Sequence, residues 1–395
     1  MGLSRAGEMR NYGPEDGSWR LWHQGPVPDR ENVVLVHGFR LPLVSRRGRC
    51  NRQFGDLDAL LQRGEPGCNA WQFEYAASPG GTYHRVSTYA ARLADAVETI
   101  GELTGNPTCS IVAYSMGGLV ARHYIASGGG RRVNKLLTLA APHMGTLRFQ
   151  PFSLDLKWAD RAYPRVAAEL RPDSRFLWRL NANVDSSCVD EFAAVGGYSW
   201  GRTDGLVELG SSGLVKCNPD GSVAESFYFA GVRRSHLNIN RFGHEDDEVF
   251  RLVRAFLLGG TEGISDLRPS ETPGDYGVPS FLTFSLNDNC RGRTVCPRVL
   301  VANGPRRYSP RRVMSQGART ESGARIYTVQ LRPDDDGEVR VHYGRDEYAI
   351  LQICRGQSTI VTRPIGESVI AGGKPAARTS GIRRAPAAYS ALPTA

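Results

Sequence analysis

The hydrophobic positions of this chain follow two rhythms. From Asn32 to Leu258, unbroken apolar runs alternate with stretches whose apolar residues recur every three or four positions. Asn32-Val33-Val34-Leu35-Val36 is the first run. A β-branched run with no polar alternation predicts a strand buried on both faces, as inside a parallel sheet. Ala70 to Tyr75, Cys109 to Tyr114, Val133 to Leu139, Phe192 to Tyr198 and Phe227 to Gly231 are read as further strands. Between them lie helical patterns at Leu57 to Leu61, at Val86 to Leu103 (Tyr89, Leu93, Val97, Ile100, Leu103) and at Leu119 to Ile125. Gly105 and Pro107 stop the second helix, and Gly128-Gly129-Gly130 the third. Glu245 to Leu258 reads as a closing amphipathic helix, with Val249, Leu252, Val253, Phe256 and Leu257 apolar. This alternation predicts an α/β fold with a doubly wound, mostly parallel sheet.

The rhythm lapses from Pro142 to about Asp190 and changes after Val278. There, Phe281 to Phe284, Arg298 to Val301, Ile326 to Val329, Val339 to Val341 and Tyr348 to Leu351 are short runs between turn residues. They predict a small all-β, sandwich-like C-terminal domain. The expected organisation is an N-terminal extension over 1–30, with Trp19 to Trp22 as a short edge strand, and an α/β domain over 31–260 with a cap-like or lid-like insertion at 143–190. A Gly/Pro/Ser/Thr-rich linker over 261–277, the β-rich domain over 278–371 and a disordered Ala/Pro/Arg/Ser-rich tail over 372–395 complete it.

Composition narrows the function classes. The 395 residues are 41% hydrophobic and 23% charged, enough for a sizeable core and unlike a disordered chain. The formal charge of +9 is mostly Arg, spread along the chain. A solvated basic surface is the first reading, and contact with an anionic lipid interface the sharper one. No helix-turn-helix, zinc-finger or RNA-recognition pattern accompanies it, so no nucleic-acid partner is expected. No apolar run approaches the ~18 residues of a transmembrane segment. Met1 to Arg10 has basic residues without an apolar stretch behind them, and Ala6 replaces the Ser or Thr of a myristoylation site. The default expectation is therefore cytoplasmic, with secretion the alternative if a leader is missing. The eight cysteines contain no C-x-x-C pair. Cys50 with Cys68, Cys188 with Cys217 and Cys290 with Cys296 are candidate disulfides, and free thiols are the other reading. No acidic cluster suggests a metal, no cofactor is expected, and the oligomeric state stays open.

The chemistry concentrates at strand ends. Ala113-Tyr114-Ser115-Met116-Gly117-Gly118 follows a buried strand and opens a helix. A nucleophile elbow needs this context, because a tight strand-to-helix turn lifts the serine above the sheet in strained backbone. Small residues two positions either side let the two backbones approach, and Ala113 and Gly117 serve. His37-Gly38-Phe39 follows the first buried strand, at the sheet end where sites form. The amides of Phe39 and Met116 are the natural pair of oxyanion donors, with His37 and Gly38 shaping the loop. A serine nucleophile also needs an imidazole held by a carboxylate. Asp204 and His236 each follow a separate predicted strand, in the chain order serine, acid, histidine. His143, after the strand ending at Leu139, is a rival base, as is His244, and Asp204 has a turn role as its other reading. Tyr114, His143, Phe149 and Phe152 are candidates for substrate contact, with Leu154, Leu156, Trp158 and Tyr163 in the same cap segment.

Together, Val34-Leu35-Val36-His37-Gly38-Phe39, Ala113-Tyr114-Ser115-Met116-Gly117-Gly118, Leu139-Ala140-Ala141-Pro142-His143-Met144-Gly145-Thr146 and Asp204-Gly205-Leu206-Val207 resemble bacterial-type lipases and esterases of the α/β-hydrolase superfamily. Ala168 to Leu177 and Leu180-Asn181 resemble the segment that follows the Pro-His-x-Gly-Thr motif there. The resemblance covers roughly residues 31 to 260. It implies Ser115 as nucleophile, His236 as base, Asp204 as its carboxylate, Phe39 and Met116 as oxyanion donors, and an acyl-ester or lipid substrate. The Ala-x-Ser-x-Gly form occurs among small bacterial lipases.

Overall fold

The computed structural model describes residues 9–39, 52–64, 66–75, 84–146, 164–182, 187–199, 203–214, 227–259, 280–287, 297–302, 308–315, 317–332, 334–343, 348–353 and 358–365. Strands β1 (Arg10–Asn11), β2 (Arg20–His23), β3 (Asn32–Val36), β4 (Asn69–Glu74), β5 (Cys109–Tyr114), β6 (Val133–Leu139), β7 (Glu191–Gly197) and β8 (Phe227–Val232) form one eight-stranded sheet. Its order is β1-β2-β4-β3-β5-β6-β7-β8. The six strands from β3 to β8 are parallel, and β2 and β1 add an antiparallel edge. The helices are α1 (Leu57–Arg63), α2 (Val86–Thr104), α3 (Met116–Ala126), α4 (Pro164–Glu169), α5 (Arg175–Ala182), the single turn α6 (Leu209–Ser212) and α7 (Glu248–Leu258). The chain steps from β3 to β4 in one direction and crosses back to β5 in the other. The loops after β3 and β5 therefore lead to helices on opposite faces, which makes the carboxyl ends of these strands a topological switch point, the place where sites form in such sheets.

The unbroken apolar runs are explained by helices on both faces. Along β3, Val34 and Val36 join a core with residues of α2 and α3, while Val33 and Leu35 join a second core with residues of α1 and α7. Strands β5 and β6 divide the same way, with Ile111, Ala113 and Leu136 in the first core and Val112 and Leu137 in the second. The N-terminal segment, expected as an extension with an edge strand, is a working part of this sheet. Leu21 is buried in the first core, and Asn11 Oδ1 accepts the Leu21 and Gly13 amides to close the β1–β2 hairpin.

The C-terminal part is a small all-β domain of two four-stranded sheets. Strands β9 (Phe281–Leu286), β12 (Val313–Met314), β13 (Arg325–Gln330) and β16 (Thr359–Ile365) form one, in the order β12-β13-β9-β16. Strands β10 (Arg298–Ala302), β11 (Tyr308–Arg311), β14 (Gly337–His342) and β15 (Tyr348–Ile353) form the other, in the order β11-β10-β14-β15. Phe284 and Val329 from the first sheet share a core with Val299, Val339 and Leu351 from the second. Strands β11, β12 and β16 were outside the sequence reading: β12 is two residues long, and Pro310 and Pro364 interrupt the other two.

This β domain is seated on the α/β domain. Phe281, Ile326 and Ile360 pack with Met144 and Trp178 as one apolar cluster. Around it, Thr328 Oγ1 donates to the Pro172 carbonyl at 3.2 Å, Ser358 Oγ to the Gly210 carbonyl at 3.4 Å, and Arg179 pairs with Glu321. The proposed linker at 261–277 and tail at 372–395 lie outside the described residues. Cys68 and Cys109 are buried free thiols, so the pairing of Cys68 with Cys50 considered from spacing is not made, and Cys217, Cys290 and Cys296 lie outside the described residues. Burial pushes the Cys68 and Cys109 thiols up to about 12. No helix among the described residues is long and apolar enough to cross a membrane.

Two outcomes test this packing. Phe281 is fully buried at the seam. Phe281→Ala is expected to lower unfolding stability by about 3–5 kcal/mol in urea denaturation, through lost transfer energy and the cavity left behind. His23, buried against the Trp71 ring, has its pKa lowered by burial from 6.5 to about 4. The unfolded chain thus binds this proton first. The His23 contribution is fully present above pH 6.5 and is lost as pH falls toward about 4. His23→Phe is expected to flatten the stability slope in that window by at most about 1.4 kcal/mol per pH unit.

Candidate active site

Ser115 occupies the turn between β5 and α3 with φ 52° and ψ −127°. A positive φ costs a residue with a Cβ about 1–3 kcal/mol, so the surroundings must hold it. They do so by close backbone approach. The Ser115 amide donates to the Leu139 carbonyl at 2.8 Å, and the Gly118 amide returns to the Ser115 carbonyl at 3.0 Å. A Cβ at Gly117 would lie 2.5 Å from the carbonyl oxygens of both Val36 and His37, and one at Gly38 would lie 2.7 Å from the Ser115 Cβ. Both glycines are thus required for the β3 loop to lie against the serine turn.

Asp204 and His236 reach Ser115 from the loops after β7 and β8. His236 Nε2 is 2.9 Å from Ser115 Oγ, and His236 Nδ1 is 2.7 Å from Asp204 Oδ2. The pair is joined a second time through the backbone, where the His236 amide donates to the Asp204 carbonyl at 2.8 Å. Asp204 Oδ1 is satisfied by the amides of Leu206 at 2.9 Å and Val207 at 2.7 Å. The carboxylate therefore both ties its own turn and faces the imidazole. Gly197, at the end of β7, leaves room for this arrangement: a Cβ there would lie 2.6 Å from the Arg234 carbonyl and 2.9 Å from the Asp204 Cβ. Arg234 pairs with Asp247 at 2.8 Å, and Asp247 caps α7, which anchors the histidine loop to a helix. Ser115, Asp204 and His236 are all buried, Ser115 the most exposed of them at 8%.

The two expected oxyanion donors flank the serine. Met116 is the first residue of α3, where a helix leaves its amides without intrahelical acceptors and favours negative charge. Phe39 follows Gly38 on the loop against Ser115, its side chain packed on the first core. Several residues that support this loop carry no sequence signal. The Gly38 amide donates to Gln53 Oε1 at 3.0 Å, and Asn240, on the turn after His236, donates to the Gln53 carbonyl. The Tyr75 hydroxyl donates to the His37 carbonyl at 2.8 Å, and its ring stacks on the His37 imidazole with centroids 4.0 Å apart. His37 is buried in that stack, a loop-shaping position.

Two of the expected substrate contacts, His143 and Tyr114, are buried side chains. His143 is fully buried and is not brought to Ser115. Its ring lies 3.0 Å from Thr138 Oγ1 and 3.5 Å from an Arg122 nitrogen. Burial, and then the Arg122 charge, hold its pKa well below the usual histidine value. It is a neutral interior group beside Arg122, which also bonds Asn181 Oδ1, the Leu180 carbonyl and Ser187 Oγ. Tyr114 packs against the His236 imidazole. It is buried with its hydroxyl 2.7 Å from the His236 carbonyl. The other rival base, His244, is exposed in the turn before α7. Phe149 and Phe152, with Leu154, Leu156, Trp158 and Tyr163, lie outside the described residues. Among the described residues no group of three or more His, Cys, Asp or Glu side chains is arranged to hold a metal.

Residues 33–259 match the model of the alpha/beta hydrolase family. Among solved structures, the chain is similar to a Bacillus licheniformis lipase in its mature form, at 18% identity and a TM-score of 0.41, over 57% of this chain and 93% of the other. The propeptide form of that lipase aligns at 14% identity and a TM-score of 0.45, over 82% of this chain and 74% of the other. A carboxylesterase from Bacillus subtilis aligns at 11% identity and a TM-score of 0.39, over 64% of this chain and 92% of the other. No curated protein sequence matches the chain.

The contact distances at Gly117 set a direct test. Gly117→Ala is expected to cost about 1–3 kcal/mol in denaturation, because the helix must move off two carbonyl oxygens. It is also expected to lower hydrolytic turnover more than Gly243→Ala, whose Cβ would meet nothing within 4 Å and whose backbone is not left-handed.

Proposed function

The chain belongs to the alpha/beta hydrolase family, and we propose that it is a carboxylic ester hydrolase working through Ser115, His236 and Asp204. One observation carries this reading: the hydrogen-bonded row from Asp204 Oδ2 through both His236 nitrogens to Ser115 Oγ, ending on a serine at a strand-to-helix turn. Few structural roles call for a buried serine, imidazole and carboxylate in series. General-base activation of a nucleophile does.

In the proposed reaction, Ser115 Oγ attacks the ester carbonyl carbon as its proton passes to His236 Nε2. Asp204 holds Nδ1–H and stabilises the imidazolium. The carbonyl oxygen becomes an oxyanion received by the Met116 and Phe39 amides. Collapse breaks the bond to the alkoxy oxygen, which takes the proton from His236 and leaves as the alcohol. Water then attacks the acyl-enzyme with His236 again as base, releasing the acid and restoring Ser115. An acyl ester, including lipid esters, is the substrate class this sequence of steps handles.

Ser115→Ala is expected to lower turnover of a nitrophenyl ester by roughly four or more orders of magnitude, with the unfolding midpoint little changed. A fluorophosphonate is expected to label the wild-type protein at Ser115 and leave the variant unlabelled. An alanine variant that keeps most of its activity would refute the assignment. Comparing short-chain with long-chain nitrophenyl esters then separates an esterase from a lipase.

A further inference from the structure

We infer that Tyr114 is a positioning residue for the base: its hydroxyl holds the His236 backbone so that the imidazole stands over Ser115. The inference rests on the hydrolase reading above and adds to it a residue with no direct part in the bond-making steps. Tyr114 precedes Ser115 on β5, yet its hydroxyl donates to the His236 carbonyl at 2.7 Å, from a residue 122 positions away. Strands β6 and β7 lie between β5 and β8, the strand that leads into the histidine loop, so that loop returns across the top of the sheet to meet the Tyr114 hydroxyl.

Three features separate this contact from ordinary core packing. The His236 peptide groups are held on both sides, its amide by the Asp204 carbonyl and its carbonyl by Tyr114. The base is thereby fixed by the chain neighbour of the nucleophile and by the carboxylate residue itself. The Tyr114 ring is also packed in place, edge-on to Phe54 at 6.5 Å and tilted against the His236 imidazole at 5.1 Å between centroids. A ring of fixed length between Ser115's neighbour and the His236 backbone sets the separation of nucleophile and base. Finally, a phenylalanine would pack the same space, whereas a buried hydroxyl costs free energy unless it is bonded. Burial, with the Asp204 charge adding to it, raises the Tyr114 pKa, so the phenol stays protonated and remains a donor.

The experiment is Tyr114→Phe in the full chain. Three quantities are read: kcat and KM for a soluble nitrophenyl ester, the rate of Ser115 phosphonylation by a fluorophosphonate, and the endpoint of that labelling, which counts competent sites. Positioning predicts a ten- to hundredfold fall in kcat, KM within about twofold, and a matching fall in labelling rate at an unchanged endpoint. A purely structural role predicts the opposite split, a reduced endpoint with the remaining sites reacting at the wild-type rate. That result, or wild-type kcat and labelling rate in the variant, overturns the inference. Wild-type protein that fails to label at Ser115 overturns the hydrolase reading itself, and the inference with it.

Discussion

The structure depends most on one turn, in which β5 ends and α3 begins so abruptly that Ser115 takes a positive φ. Such a turn exists only where neighbouring backbones come within contact distance, and that explains residues far from it in sequence. Gly117 has no side chain because α3 lies on the carbonyls of Val36 and His37. Gly38 has none because the β3 loop lies on Ser115. Gly118 has none because its Cβ position is 2.5 Å from the Cβ of Ala141. The parallel sheet beneath supplies the rigidity, since β5 is central, paired with β3 and β6, and buried along its whole length. A strained residue is stable only when its surroundings over-determine it, and here three strand ends do so.

The remaining members of the row come from loops, which are the most mobile parts of a fold unless tied down. Here each loop is tied twice. Asp204 closes its own turn with one carboxylate oxygen and meets His236 with the other. His236 is joined to Asp204 by both side chain and backbone, and Arg234, two residues earlier, is fixed to the cap of α7. Apart from the bond between His236 Nδ1 and Asp204 Oδ2, the hydrogen bonds that order these loops do not take part in the proposed chemistry. This leaves the Ser115 and His236 groups in place before any substrate arrives.

The β domain extends the same network. Its apolar seam rests on Met144 and Trp178, and its hydroxyls reach the carbonyls of Pro172 and Gly210. On the other side of that seam, Thr146 Oγ1 donates to the Leu206 carbonyl in the Asp204 turn at 2.6 Å, and the Met144 amide meets Ser211 Oγ at 3.2 Å. The C-terminal sheets therefore back the segment that supports the carboxylate loop. Sequence composition pointed to a separate module joined by a linker, because composition reports what each domain contains and is silent on which faces meet.

The amino-acid sequence by itself determined the α/β alternation of the first domain, the succession of its main strands and helices along the chain, the existence of a β-rich C-terminal part, and the residue types at the strand ends. Those features arise from local physics: apolar periodicity selects helix or strand, glycine and proline end them, and the serine turn requires small neighbours. The sequence left several questions to the tertiary structure. Tertiary packing made the N-terminal strands part of the sheet, buried His143 beside Arg122, turned Tyr114 onto the His236 backbone, and recruited Gln53, Tyr75 and Asn240 to the loops. Each of those outcomes depends on distances between residues tens to more than a hundred positions apart. A histidine beside a strand end reads alike in sequence whether its imidazole faces Ser115, as in His236, or an interior arginine, as in His143. Burial and the direction of one side chain separate the two, and both are set only when the sheet closes around them.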